Sequence, residues 1–256
     1  MNRFFFLFFI PMQILAQSFT KEEIPRWETQ VKQVTVIRDT WGIPHIYGKT
    51  DADAVFGLLY AQCEDDFKRV ELNYVEKLGR MAEIEGEKEI WEDLYIRMII
   101  DSADAVADYQ KSPAWLKSLL NAWADGINYY LYKNPSVKPA LLTEFKPWYP
   151  LLWTDGSIGA INTGGTGPED LKAFYTGEKV TALLNRKQED KEVAGSNGFA
   201  IAPSLTSSGN AILYINPHVT FYFRPEVQMV SEEGLNAYGA VTVSYTHLTL
   251  PTTILV

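Results

Sequence analysis

Three histidines, one cysteine and a serine that follows a glycine are the residues here whose types invite nucleophilic or basic chemistry. A serine is a poor nucleophile until a base removes its proton. In a Ser-His-Asp enzyme a histidine does this, but the usual marker Gly-x-Ser-x-Gly is absent. A serine at a chain N-terminus has another base, its own α-amine, with an ordinary pKa of about 7.7–8.0. That route needs a cleavage before the serine. Gly195-Ser196 suits it, because glycine permits the strained backbone of an acyl shift. The dense mixed-charge run at 186–192 (RKQEDKE) reads as a solvated linker just ahead of the junction. Gly-Ser-Asn-Gly is also an everyday turn, so the junction alone leaves both readings open. His218 ends the segment Asn216-Pro217-His218 and is either a partner of the serine or a core or capping histidine. Cys63 falls on an apolar helical stripe and reads as a small buried hydrophobe rather than a nucleophile. The loop Thr163-Gly164-Gly165-Thr166-Gly167-Pro168 lacks the Gly-Lys-Ser/Thr ending of a phosphate cradle, which excludes a nucleotide reading.

The elements that must position these residues are legible in part. VTVIR at 34–38 is a short β-branched strand, Asp39-Thr40-Trp41-Gly42 turns it, and PHIY at 44–47 returns as the second arm of a hairpin. Thr50-Asp51-Ala52-Asp53 is a capping-box pattern before a helix. Within that helix Phe56, Tyr60, Cys63, Phe67, Val70 and Tyr74 alternate at spacings of four and three and form one apolar stripe. A second helix starts after Ser112-Pro113, carries Leu116, Leu119, Leu120, Trp123 and Ile127, and stops at Asn134-Pro135. Residues 146–150 (KPWYP) mark a turn-rich crossing. After the Gly-Ser junction a strand, the turn Ser207-Ser208-Gly209-Asn210 and a strand over 211–215 form a second hairpin.

Composition bounds the function. Apolar residues at 46% and charged residues at 21% are globular values and exclude a disordered polyelectrolyte. The net charge of −9 argues against general binding to phosphate backbones, so no nucleic-acid partner is expected. One cysteine excludes an intrachain disulfide framework and a Cys-rich zinc site. Residues 1–16 (MNRFFFLFFIPMQILA) have a positive start, an apolar stretch and a small terminal residue, the pattern of a secretory signal peptide. The stretch is shorter than the roughly 20 residues of a membrane span, so no span is expected and the product is periplasmic or secreted. Residues 243–253 (VSYTHLTLPTT) resemble one reading frame of a transposase-type sequencing adapter. The expectation is that 243–256 is an artefact, that the natural sequence departs near Thr242, and that Ser244 and His247 carry no information.

A resemblance gives the junction its weight. Val36-Ile37-Arg38-Asp39-Thr40-Trp41-Gly42-Ile43-Pro44-His45-Ile46-Tyr47 resembles the opening signature of the penicillin acylase, or penicillin amidase, family. Thr50-Asp51-Ala52-Asp53-Ala54, Gly57, Tyr60-Ala61-Gln62, Glu64-Asp65 and Gly79-Arg80 continue that pattern in order. Gly195-Ser196-Asn197 resembles the processing site, Asn216-Pro217-His218 the Asn/Asp-Pro-His element, and Glu232 to Ala240 (EEGLNAYGA) the segment after it. The resemblance implies an α+β fold, the four-layer αββα sandwich of N-terminal-nucleophile hydrolases, incomplete here, with a helical α-chain portion. Together with the residue patterns at the two ends, it divides the chain into a signal peptide (1–16), an α-chain region (17–185), a linker (186–195), the start of a β chain (196–242) and the artefact (243–256).

It further implies a precursor that cuts itself before Ser196 into an α/β heterodimer. Ser196 would then be the nucleophile, with its α-amine as base. His218 would orient or relay to that amine, and His45 is structural. The substrates implied are small N-acyl amides: penicillins, N-acyl-homoserine lactones or lipopeptide acyl chains. No catalytic cofactor is implied; a structural calcium is, with ligands unassigned. Two departures bear on this. Gly198 stands where a larger residue is common, and the oxyanion-hole residues, including an asparagine, map beyond Thr242, so an inactive, truncated copy is expected. Two other classes compete: a non-catalytic periplasmic binding module on the acylase scaffold, and a Ser-His esterase, which a free N-terminal Ser196 would separate from the first reading.

Overall fold

The computed structural model describes residues 19–152, 167–177, 196–217 and 225–241, with backbone alone at Ser196 and at 215–217. The signal peptide, the linker and the terminal stretch 243–256 lie outside the described residues. The architecture is α+β. Helix α1 (Glu23–Gln30) leads into the hairpin of β1 (Val34–Arg38) and β2 (Pro44–Gly48). Then come α2 (Asp51–Lys77), α3 (Ala82–Glu85), α4 (Ile90–Ile99), α5 (Ser102–Lys111), α6 (Ala114–Lys133) and α7 (Pro168–Thr176). Two strands, β3 (Ser196–Ile201) and β4 (Ile212–Pro217), form one antiparallel pair. The last two, β5 (Glu226–Ser231) and β6 (Asn236–Ala240), join the first hairpin in a four-stranded sheet of order β1-β2-β5-β6.

Helix α2 organises the core. Its start is fixed by a capping box: Thr50 Oγ1 accepts the Asp53 N–H, and Asp53 Oδ2 accepts the Thr50 N–H, both at 3.1 Å. The expected stripe is buried at Phe56, Cys63, Phe67, Val70 and Tyr74, while Tyr60 is partly covered. Burial exceeds the stripe, however. Ala54, Val55, Leu58, Leu59 and Ala61 are buried as well, because the sheet covers one side of the helix and α6 the other. Two glycines allow that double packing. A Cβ on Gly57 would stand 2.7 Å from Val34 Cγ1, and one on Gly126 would stand 2.5 Å from the Phe56 carbonyl oxygen. At Asp66 the backbone leaves the helical region (φ −158°, ψ 73°), and its carboxylate accepts the Arg69 N–H at 3.0 Å, capping the restarted half.

Rings fill the space between α2 and α6: Tyr74 meets Trp123 edge-on with centroids 4.8 Å apart, and Phe145 packs against both. Fully burying such side chains is worth about 1.5–3 kcal/mol each. Two buried carboxylates tie elements together. Asp125 of α6 binds the Arg26 guanidinium through two nitrogens and accepts Trp27 Nε1–H at 2.7 Å, which fastens α1 to α6. Glu71, 2% exposed, accepts the N–H groups of Ala140, Leu141 and Leu142 at 2.7–2.9 Å and holds the loop after α6.

Glu71→Leu in the full-length protein orphans one buried and two part-buried donors and is expected to lower stability by about 1–3 kcal/mol, read by chemical denaturation; an unchanged midpoint would refute the role given to this carboxylate. Burial, with Glu64 adding to it, pushes the Cys63 thiol well above its ordinary pKa. A thiol reagent should therefore leave native protein unlabelled and modify it only on unfolding, and rapid labelling of folded protein would contradict this packing.

Candidate functional site

The nucleophile candidate opens a strand. Ser196 is the first residue of β3, and the antiparallel register sets it opposite Pro217, with Asn197 opposite Asn216. Ser196-Asn197 and Asn216-Pro217 are thus brought to one end of one hairpin. Small and β-branched residues permit this: alternation sends Gly198 and Ala200 to one face and Asn197, Phe199 and Ile201 to the other. Phe199 and Tyr214, cross-strand partners, bring their ring centroids to 5.8 Å. At the far end Thr206 Oγ–H donates to the carbonyl oxygens of Pro203 and Asn210, at 3.0 and 2.8 Å, and closes the connection. A Cβ on Gly198 would meet only the Tyr214 carbonyl oxygen, at 3.6 Å, so the smaller residue is not forced by close packing there. Gly195 and His218 lie outside the described residues.

The opening signature serves the scaffold. Arg38, last in β1, donates to the carbonyl oxygens of Gly42 and Ala61 and to the carboxylates of Glu64 and Asp65, tying the hairpin to α2. Asp39 Oδ1 accepts the N–H groups of Trp41 at 2.8 Å and Ile43 at 3.0 Å, which fixes the turn. Desolvation raises the Asp39 carboxyl, but those two N–H groups and the His45 ring together hold it below its ordinary pKa. His45 Nδ1 lies 2.5 Å from Gln228 Oε1 and Nε2 lies 3.5 Å from Asp39 Oδ2, so this side chain links β2 to β5. Gly79, at φ +60°, offers its carbonyl to Arg97 Nε–H at 2.9 Å, and Arg80 forks onto Glu83. None of these groups is free to act as a nucleophile or a base for one.

Sequence reasoning missed a polar cleft of about 520 Å³ between α1, the start of α2 and α6, lined by Arg26, Gln30, Asp53, Asn121 and Asp125 among others. Its lining holds no histidine, cysteine or lysine, and neither Ser196 nor its neighbours belong to it. Sequence reasoning also missed the contacts of Ser231 and Glu233 with Asp51 at the start of α2. No local signal announces them, because the partners are about 180 residues apart. Among the described residues no group of three or more His, Cys, Asp and Glu is placed to hold a metal ion. No described helix is long and apolar enough to cross a membrane.

Comparison with known proteins places the scaffold. The Penicillin amidase family model matches residues 33–248. Penicillin acylase 2 proenzyme of Pseudomonas sp. (strain SE83) is 27% identical, over 73% of this chain and 30% of that one. Acyl-homoserine lactone acylase QuiP of Pseudomonas fluorescens (strain Pf0-1) is 29% identical over 73% and 29%. Acyl-homoserine lactone acylase PvdQ of Pseudomonas putida (strain KT2440) is 22% identical over 78% and 29%. The chain therefore spans about 30% of the length of these curated relatives. Among solved structures, thermostable penicillin G acylase from Alcaligenes faecalis aligns with 63% of this chain and 96% of that one, at 16% identity and a TM-score of 0.41. With its family pattern matched from before β1 to beyond β6, the chain belongs to the penicillin amidase family.

Proposed function

We propose that the full-length protein is an exported amidohydrolase that cuts itself at Gly195–Ser196 and then uses Ser196 to remove the acyl group from small N-acyl amides. The observation that carries this reading is the register that sets Ser196, at the head of β3, opposite the residue before His218. The relatives' names, penicillin acylase proenzyme and acyl-homoserine lactone acylase, support the substrate class, small N-acyl amides. The pattern of residues 1–16 supports export.

In processing, Ser196 Oγ attacks the Gly195 carbonyl carbon, the Gly–Ser C–N bond breaks, and an ester joins Gly195 to the serine oxygen. Water cleaves that ester and leaves Gly195 as a carboxylate and Ser196 as a free amine. In turnover the α-amine takes the hydroxyl proton as Ser196 Oγ attacks the substrate carbonyl. The proton passes to the leaving amine as the substrate C–N bond breaks, and water then hydrolyses the acyl-serine with the same amine as base. His218, one residue past the partner of Ser196, orients that amine. Donors for the oxyanion, typically worth a factor of 10²–10³ each, come from the chain beyond β6. The two polypeptides remain together as an α/β heterodimer.

In the full-length protein Ser196→Ala should abolish both processing and hydrolysis across a panel of penicillin, phenylacetyl-amide and N-acyl-homoserine lactone substrates. Retained turnover would sink the assignment. The pH profile follows from the base. An α-amine is protonated and inactive below its pKa of about 7.7–8.0, so kcat/KM should fall about tenfold per pH unit below that point and level off above it. A flat profile from pH 6 to 9 would contradict an amine base.

A further inference from the structure

Strand β5 comes after the Gly195–Ser196 junction and pairs in parallel with β2, which comes before it. The register is His45↔Gln228, Ile46↔Met229, Tyr47↔Val230 and Gly48↔Ser231. Hydrophobic pattern alone does not select this register. A slip of one residue would turn Val227 and Met229 away from α2, but a slip of two would keep every side chain on its face. Within the ladder the His45–Gln228 contact favours the observed register, and the end of the pair adds a second determinant.

That second determinant is visible where the pair ends. Ser231 Oγ–H donates to Asp51 Oδ1, and Ser231 Oγ in turn accepts the N–H groups of Glu233 at 3.2 Å and Leu235 at 3.3 Å. Glu233 Oε2 accepts the Asp51 N–H at 2.7 Å. The Glu232 N–H donates to the Gly48 carbonyl oxygen at 3.3 Å. Asp51 is the first residue of α2, a 27-residue helix. Thr50 and Asp53 satisfy each other in the capping box, which leaves the Asp51 N–H facing outward for an acceptor from elsewhere. A carboxylate there also meets the positive end of the helix dipole. One hydroxyl at the end of β5 and one carboxylate two residues on, in the turn, fit one donor and one acceptor of a single residue.

We propose that Ser231 and Glu233 are positioning residues that seat the segment after the junction on the N-terminus of α2 and so help select the β2–β5 register. In the processed enzyme this seat is where the second polypeptide docks on the first, a step that rests on the proposed cleavage. The contact spans two stretches that cleavage would disconnect. It therefore acts as a joint between chains rather than only as a local cap.

Register is read by cysteine pairs on the face of the sheet away from α2. Cys63 is buried and does not compete. In the full-length protein Tyr47→Cys with Val230→Cys should cross-link readily, and Tyr47→Cys with Gln228→Cys should not. Adding Ser231→Ala and Glu233→Ala should lower the first yield severalfold and raise the second. Glu232→Ala, which removes none of these side-chain contacts, should change neither. In processed protein the same double variant should raise the constant for separation of the two chains about 5- to 30-fold, read by size exclusion across a urea series. If the double alanine variant does not fold, Glu233→Gln is the comparison: it keeps size and an acceptor, and should retain the register while releasing the second chain at lower urea. Native cross-linking by the folded double variant, or unchanged chain retention by Glu233→Gln, overturns the proposal. The cross-link reads register in cut and uncut chains alike, so its outcome is separate from whether Gly195–Ser196 is cleaved.

Discussion

The parallel pairing of β2 with β5 is the constraint on which the rest of the structure depends. It places residues from either side of the Gly195–Ser196 junction in one sheet and lays Val227 and Met229 into the core beside Ile46. The sheet in turn covers one side of α2, and α6 covers the other. Without β5 the helix would lose apolar cover on its sheet side. The self-cut enzyme we propose needs a core that crosses the cut, and this pairing supplies one.

Scaffold and chemistry are separated in the chain. The family signature around β1, β2 and α2 is spent on fastening: Arg38 on Glu64 and Asp65, Asp39 on its own turn, His45 on Gln228. The reactive group proposed here sits elsewhere, at the head of the β3–β4 hairpin. That hairpin exposes Phe199, Leu213 and Tyr214, at 60%, 55% and 53%.

Sequence patterns with a short range were legible. The first hairpin falls at 34–38 and 44–48, the capping box begins α2, and Ser112-Pro113 and Asn134 bracket α6 within a residue or two. Each rests on neighbours in sequence. The all-round burial of Ala54, Leu58 and Ala61 was not legible, because it depends on two partners arriving from opposite sides. Helices α1 and α5 had local start signals that sequence reasoning passed over, the Thr20–Glu23 capping box and the Asp101 cap. For the site, Gly195-Ser196 stood out only through resemblance, since its composition is that of any turn. The pairing of Ser196 with Pro217 needed the register of the hairpin. Asp51 and Glu233 lay inside family-like segments, but nothing in the sequence joined the seat of Asp51, Ser231 and Glu233, because its two halves are about 180 residues apart.

The central claim, that Ser196 becomes a chain terminus and is the nucleophile, is tested most directly on the purified, active full-length protein by intact mass together with N-terminal sequencing. The account predicts two polypeptides, the second beginning Ser-Asn-Gly-Phe. A single uncut chain that hydrolyses N-acyl amides would contradict it.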